Sequence, residues 1–283
     1  MKIAFWSEQK GAGTTFNLAV VACASVCLHP LSVAVVSGGY YDEKLEQKFF
    51  GCPRNVSKIS EITADYGQET VLAAETQEFF LSSGLACLLR KERIEDLTET
   101  VVKANMREVV KDRMYCLPAN AGREYEWWYR DYKFVRMSRV LDAVESYFDV
   151  VFIDCGSRKD DYAKKVLEEA DICVLNILQE ADSIGEFYRS PPKFKGQNFF
   201  LLGKYFSNAL YNRENLQRIY RMEENRLGAI PYNAQLHAAE QMGRITNFVE
   251  HSVGSGLREK DIEFEKELVR TTNLILKMAG LVV

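Results

Sequence analysis

The sequence predicts an α/β fold: a mainly parallel central sheet of about seven strands with helices on both faces. Three observations predict it. Short apolar runs alternate with longer helical patterns along the whole chain. The clearest runs, residues 149–153 and 172–177, are continuous Val/Ile/Phe segments of the kind buried on both faces of a parallel sheet. Strand–helix–strand alternation of this length implies right-handed crossovers, which place helices over both faces.

Strand-like runs lie at residues 2–6, 32–36, 114–117, 149–153, 172–177, 198–202 and 226–230. Helical patterns lie between them at residues 15–27, 83–103, 135–147, 161–170, 212–221, 236–248 and 260–278. No repeat, low-complexity tract or linker interrupts the series, so residues 1–283 read as a single domain. Two segments fit poorly. Residues 38–78 are broken by Gly38-Gly39, Gly51-Cys52-Pro53 and Gly67. Residues 119–133 are aromatic-rich, with Tyr125, Trp127, Trp128, Tyr129 and Tyr132 among Arg123, Arg130 and Lys133.

Net charge is −4 at pH 7, so no global positive field draws nucleic acid or anionic lipid to the protein. Nucleic acid is therefore not an expected partner, and membrane association is expected only indirectly. There are seven cysteines, several inside apolar runs, with no CxxC pair and no zinc spacing. An odd count in such settings points to free thiols in a reducing compartment, and the chain is read as cytoplasmic. The opening Met1–Ser7 stretch is too short for a signal peptide. The apolar run 18–28 is shorter than the roughly 20 residues of a membrane span.

The first strand runs directly into Ser7-Glu8-Gln9-Lys10-Gly11-Ala12-Gly13-Thr14-Thr15 and then into an Ala/Val/Leu-rich helix. This is the setting of a phosphate loop. Glycines let successive backbone N–H groups turn toward an anion, and the helix N-terminus adds partial positive charge. A hydroxyl at the end of the loop can ligate Mg²⁺. Taken alone, Gly-x-Gly-Thr-Thr is equally the pattern of an ordinary glycine turn before a helix.

Farther along, Tyr147-Phe-Asp-Val-Val-Phe-Ile-Asp154 sets a carboxylate at the C-terminal end of a buried strand, where open parallel sheets bind ligands. Together these segments resemble the MinD/ParA-type P-loop ATPases. The loop of that family is similar to Ser-Gly-Lys-Gly-Gly-Val-Gly-Lys-Thr, and Ser7, Gly11, Gly13 and Thr15 match it without gaps. The strand ending at Asp154 resembles the family's Walker B strand. Met114–Ala119 resembles its Leu-Pro-Ala strand, and Ala170–Asn176 its Ala-Asp strand. Leu227–Asn233, with Gly243 downstream, resembles the segment bordering the adenine pocket. The shared order covers almost the whole chain.

The resemblance implies ATP and Mg²⁺ as cofactors. Lys10, Gly11, Ala12, Gly13, Thr14 and Thr15 would hold phosphates, Thr15 and Asp154 the metal, and Pro231 with Tyr232 would border the base. It also implies a homodimer around sandwiched nucleotide. The loop is degenerate, however. Glu8 replaces the first glycine, Gln9 the signature lysine and Thr14 the lysine between the β- and γ-phosphates, with Lys10 one place after the signature position. Losing a cation beside the transferred group removes transition-state stabilisation, so hydrolysis is expected to be weak or absent. Glu8 disfavours a polyanion unless it points away. Residues 35–39 replace the family's switch aspartate, and nearby Asp42 is not assigned that role.

Phe5–Thr15 and Asn176–Gln179, followed by Phe187, are most similar to the TadZ/CpaE-like branch associated with Flp/Tad pilus assembly. That resemblance implies a positioning or assembly factor with secretion or pilus components as protein partners. Three rivals remain: a nucleotide-free pseudo-ATPase scaffold, an active ATPase using Lys10, and a ParA-like partition protein. The aromatic segment 125–132 reads either as a partner surface or as satellite core. The C-terminal helix, poor in cations, reads as a core helix rather than an interfacial one.

Overall fold

The computed structural model describes residues 1–38, 44–51, 83–92, 96–119, 126–157, 159, 161–180, 184–185, 194–254 and 262–282. Its sheet has eight strands: β1 (Lys2–Trp6), β2 (Val33–Ser37), β3 (Arg107–Val110), β4 (Met114–Leu117), β5 (Val150–Gly156), β6 (Ile172–Ile177), β7 (Gln197–Tyr205) and β8 (Leu227–Pro231). Their spatial order is β3-β4-β2-β5-β1-β6-β7-β8, and every pairing is parallel except β3 with β4. The predicted fold class therefore stands, with one strand more than the expected seven. β3 was missed because Arg107–Val110 is a short edge strand, antiparallel to β4 and only partly buried, without the apolar run that marks an interior strand.

The helices are α1 (Thr14–Leu28), α2 (Lys44–Phe50), α3 (Leu85–Lys91), α4 (Glu99–Ala104), α5 (Glu126–Glu145), α6 (Asp161–Glu169), α7 (Arg213–Tyr220), α8 (Ala234–Gln241), α9 (Ile245–Gly254) and α10 (Ile262–Met278). Four expectations are corrected. The helix expected over residues 83–103 is two helices, and Thr98 caps the second by accepting the Val101 N–H. The helix expected over 236–248 is likewise two, separated by residues 242–244. Helix α2 lies inside the segment read as irregular, and α5 begins nine residues before the expected 135. Of the aromatic segment, Tyr125 and the side chains of Trp127, Trp128, Tyr129 and Tyr132 lie outside the described residues, as do Gly39, Asp42, Cys52, Gly67 and Phe187.

Strand alternation divides the core. On β1, Ile3 and Phe5 enter the cluster containing α1, α9 and α10, whereas Ala4 and Trp6 enter the one containing α3, α5 and α6. Helix α1 is buried from Asn17 to Val26 because it lies between the sheet and three further helices, α2, α9 and α10, which accounts for its apolar character all round. The C-terminal helix α10 buries Phe264, Leu268, Ile275 and Leu276, and its Thr271 hydroxyl accepts the Ala229 N–H of β8 and donates to the Ala229 carbonyl. It is the core helix the sequence predicted. Among the described residues, no helix is long and apolar enough to cross a membrane.

Candidate functional site

The C-terminal ends of β1, β5 and β6 meet at the loop 7–13, and short-range bonds set its path. Ser7 N–H donates to the Gly156 carbonyl at 2.9 Å, and the Ser7 hydroxyl accepts the Gln9 N–H at 3.1 Å. Asn176 on β6 donates to the Trp6 carbonyl at 3.3 Å, and its amide oxygen accepts from the Asn17 side chain at 2.8 Å. The first turn of α1 is thereby tied to the neighbouring strand.

Gly13, at φ +79, is the residue preceding α1, a backbone conformation open to glycine at little cost. No side chain caps the helix there, and no acidic residue lies in its first turn. The N–H groups that a Ser or Asp cap would normally satisfy are left for another acceptor, at the positive end of the helix dipole. Gly203 of β7 lies behind the loop. A Cβ there would stand 2.6 Å from the Ala12 carbonyl oxygen and 2.7 Å from the Asn17 amide nitrogen.

The loop opens into a cavity of about 730 Å³, inside the roughly 300–1,000 Å³ range usual for small-molecule sites. Of the residues predicted to hold ligand, Lys10, Gly11, Gly13, Thr14, Thr15, Pro231 and Tyr232 line it together. Two do not. Ala12 is buried with its carbonyl toward Gly203. Asp154 is also buried, and one of its carboxylate oxygens accepts the Gly156 N–H at 2.9 Å behind the loop.

Sequence reading missed the cavity's other cations. Lys44, Lys48 and Lys204 join Lys10 in the lining, against a single carboxylate, Glu240. Glu240 is engaged already, in an ion pair with Lys48 and at 2.8 Å from His237 Nδ1. Among the described residues neither Lys10 nor Lys204 has an ion-pair partner. Glu8 is turned aside: it pairs with Lys159 at 3.1 Å and does not line the cavity. Beside Pro231, the half-exposed ring of Tyr232 stacks on that of Phe206, with centroids 5.6 Å apart and planes 25° from parallel. Gln179 holds that corner by accepting the Phe206 N–H and donating to the Phe206 and Tyr211 carbonyls. Among the described residues no group of three His, Cys, Asp or Glu is placed to hold a metal on its own.

No protein-family model and no curated protein matches the chain. Solved structures do. A ParA family ATPase from Chlorobium tepidum superposes with a TM-score of 0.66 at 14% identity, covering 96% of this chain and 98% of that one. The cell division ATPase MinD of Pyrococcus furiosus gives 0.66 at 15% identity, covering 98% of each chain. The chain has the MinD/ParA fold. A plasmid partition protein from Borrelia burgdorferi, solved with AMPPNP bound, gives 0.62 at 14% identity and covers 98% of each chain. Within the MinD/ParA fold described here, the loop 7–13, the end of β5 and the start of α8 converge on one cavity rim.

Proposed function

We propose that the chain is a MinD/ParA-like positioning or assembly factor, built as one domain, that binds ATP with Mg²⁺ weakly and hydrolyses it weakly or not at all. One observation carries the reading: an uncapped helix N-terminus opens into a cavity lined by four lysines and one carboxylate already paired. That donor set suits a polyphosphate. The backbone N–H groups from Gly11 to Thr15 and the Lys10 ammonium would hold phosphate oxygens. Thr15 would ligate the metal, with Asp154 acting on it through water from behind the loop. Pro231 and Tyr232 would border the base.

Mg²⁺ would supply charge neutralisation on the phosphate oxygens. The chain's own residues leave the rest of the chemistry poorly served. Thr14 places a hydroxyl where the resemblance expects a lysine, and β2 ends at Ser37, followed by Gly38, where it expects a switch aspartate. Binding that outlasts catalysis fits a protein that works through its partners. The similarity of Phe5–Thr15 and Asn176–Gln179 to the TadZ/CpaE-like branch supports pilus or secretion components as those partners, with a homodimer whose formation does not depend on nucleotide because Gln9 replaces the crossing lysine.

A fluorescent ATP analogue titrated with Mg²⁺, beside a phosphate-release assay on the same preparation, tests this reading. Saturable binding with turnover near the uncatalysed background is expected. Robust turnover abolished by Lys10→Ala would replace it with an active ATPase, and absence of binding would leave a nucleotide-free scaffold.

A further inference from the structure

Strands β7 and β8 lose register between Leu202 and Tyr205. Leu202 lies opposite Ala229 and Tyr205 opposite Pro231, so three steps on β7 match two on β8. The extra residue makes a bulge of Gly203 and Lys204. Lys204 adopts φ +50, left-handed backbone that a residue with a Cβ occupies at a cost, and its exposed side chain lines the cavity. Bulges re-aim side chains beside functional sites, and strained backbone persists where the surroundings enforce it. Here the enforcement is visible: the adjacent Gly203 is in backbone contact with Ala12 of the loop, which fixes the bulge against the segment expected to hold phosphate.

We propose that Lys204, lifted into the cavity by the β7 bulge, is the phosphate-binding cation that the loop itself lacks at Thr14. The inference rests on the nucleotide reading above and adds a residue to it from a different strand. It assigns the ammonium a part in binding, not in bond cleavage. Lys44 and Lys48 are less suited. Lys48 is held by Glu240, and Lys44 already has an interaction of its own. Lys204 has no ion-pair partner among the described residues.

The strained backbone makes the test two-sided. In Lys204→Gly the left-handed position is relieved while the cation is lost, so a purely structural lysine and a binding lysine predict different results. Calorimetric titration with MgATP, AMP and inorganic tripolyphosphate is paired with melting curves. The expected result is a loss of MgATP and tripolyphosphate affinity of about tenfold or more, unchanged AMP affinity, and a melting temperature raised by about 2 °C. Lys204→Arg should retain most of the affinity. If the wild-type protein binds MgATP and Lys204→Gly binds it equally well, the assignment of Lys204 is overturned while the nucleotide reading stands. Tripolyphosphate bound without ATP would keep Lys204 as a polyphosphate ligand and overturn the nucleotide reading. Binding of neither by the wild type would overturn both.

Discussion

Gly203 and Ala12 touch through their backbones: a Cβ on Gly203 would stand 2.6 Å from the Ala12 carbonyl oxygen. The end of β7 is therefore the floor on which the loop rests, and its missing side chain sets the loop's height. Gly203→Ala should push the loop off this floor, with an overpacking cost of about 1–3 kcal/mol in chemical denaturation. Phosphate affinity should fall in the same variant. A Gly203→Ala protein with wild-type stability and wild-type binding would mean that the contact does not position the loop.

Glu8 next to a polyanion site would be repulsive if it faced the cavity, but its carboxylate is paired with Lys159 at 3.1 Å and lies outside the lining. Glu8→Gln should accordingly change MgATP affinity by no more than about threefold, since exposed charges are well screened. A gain of tenfold or more on titration would place Glu8 at the phosphates instead.

Two adjacent threonines on α10 should behave oppositely. Thr271 exchanges two hydrogen bonds with the Ala229 backbone, whereas the buried Thr272 hydroxyl has no partner among the described residues. Thr271→Val leaves a buried N–H and carbonyl short of partners and should cost about 1–3 kcal/mol. Thr272→Val removes only an unpaired hydroxyl and should be neutral or stabilising. Equal effects on denaturation midpoints would contradict the bonding described for β8.

Thiol chemistry gives a pH prediction. Burial pushes the thiols of Cys23 and Cys173 up to about 12, and burial followed by the Glu250 charge raises exposed Cys27, against the pull of Arg113. A raised thiol holds less thiolate at neutral pH, and thiolate is the reacting form. Alkylation of the native protein should therefore map to Cys27 among the described cysteines, with a rate still climbing above pH 9 where an ordinary thiol of pKa about 8.5 would be levelling off. Mass mapping that found Cys23 or Cys173 labelled first would refute their burial.

The interior of the fold was readable because β1, β2 and β4 to β8 announce themselves as apolar runs between helical patterns. What escaped was held by contacts that leave no local pattern. Edge strand β3 gains its structure by pairing with β4, and α2 sits in a glycine-punctuated segment that propensity alone reads as irregular. At the site, Lys10, Gly11, Gly13, Thr14, Thr15, Pro231 and Tyr232 were readable from loop and strand-end context, and the cavity brings them together. Lys204 and Phe206 were not, because a register shift between β7 and β8 places them there. A lone Gly within a strand was the available signal.

Isothermal titration of the wild-type protein with MgATP tests the central claim most directly. Saturable heat with a dissociation constant between about 10 µM and 1 mM, or roughly −7 to −4 kcal/mol of binding free energy, is the predicted result. A flat titration at millimolar MgATP would contradict it, and the lysine-lined cavity beside α1 would then need a different anion.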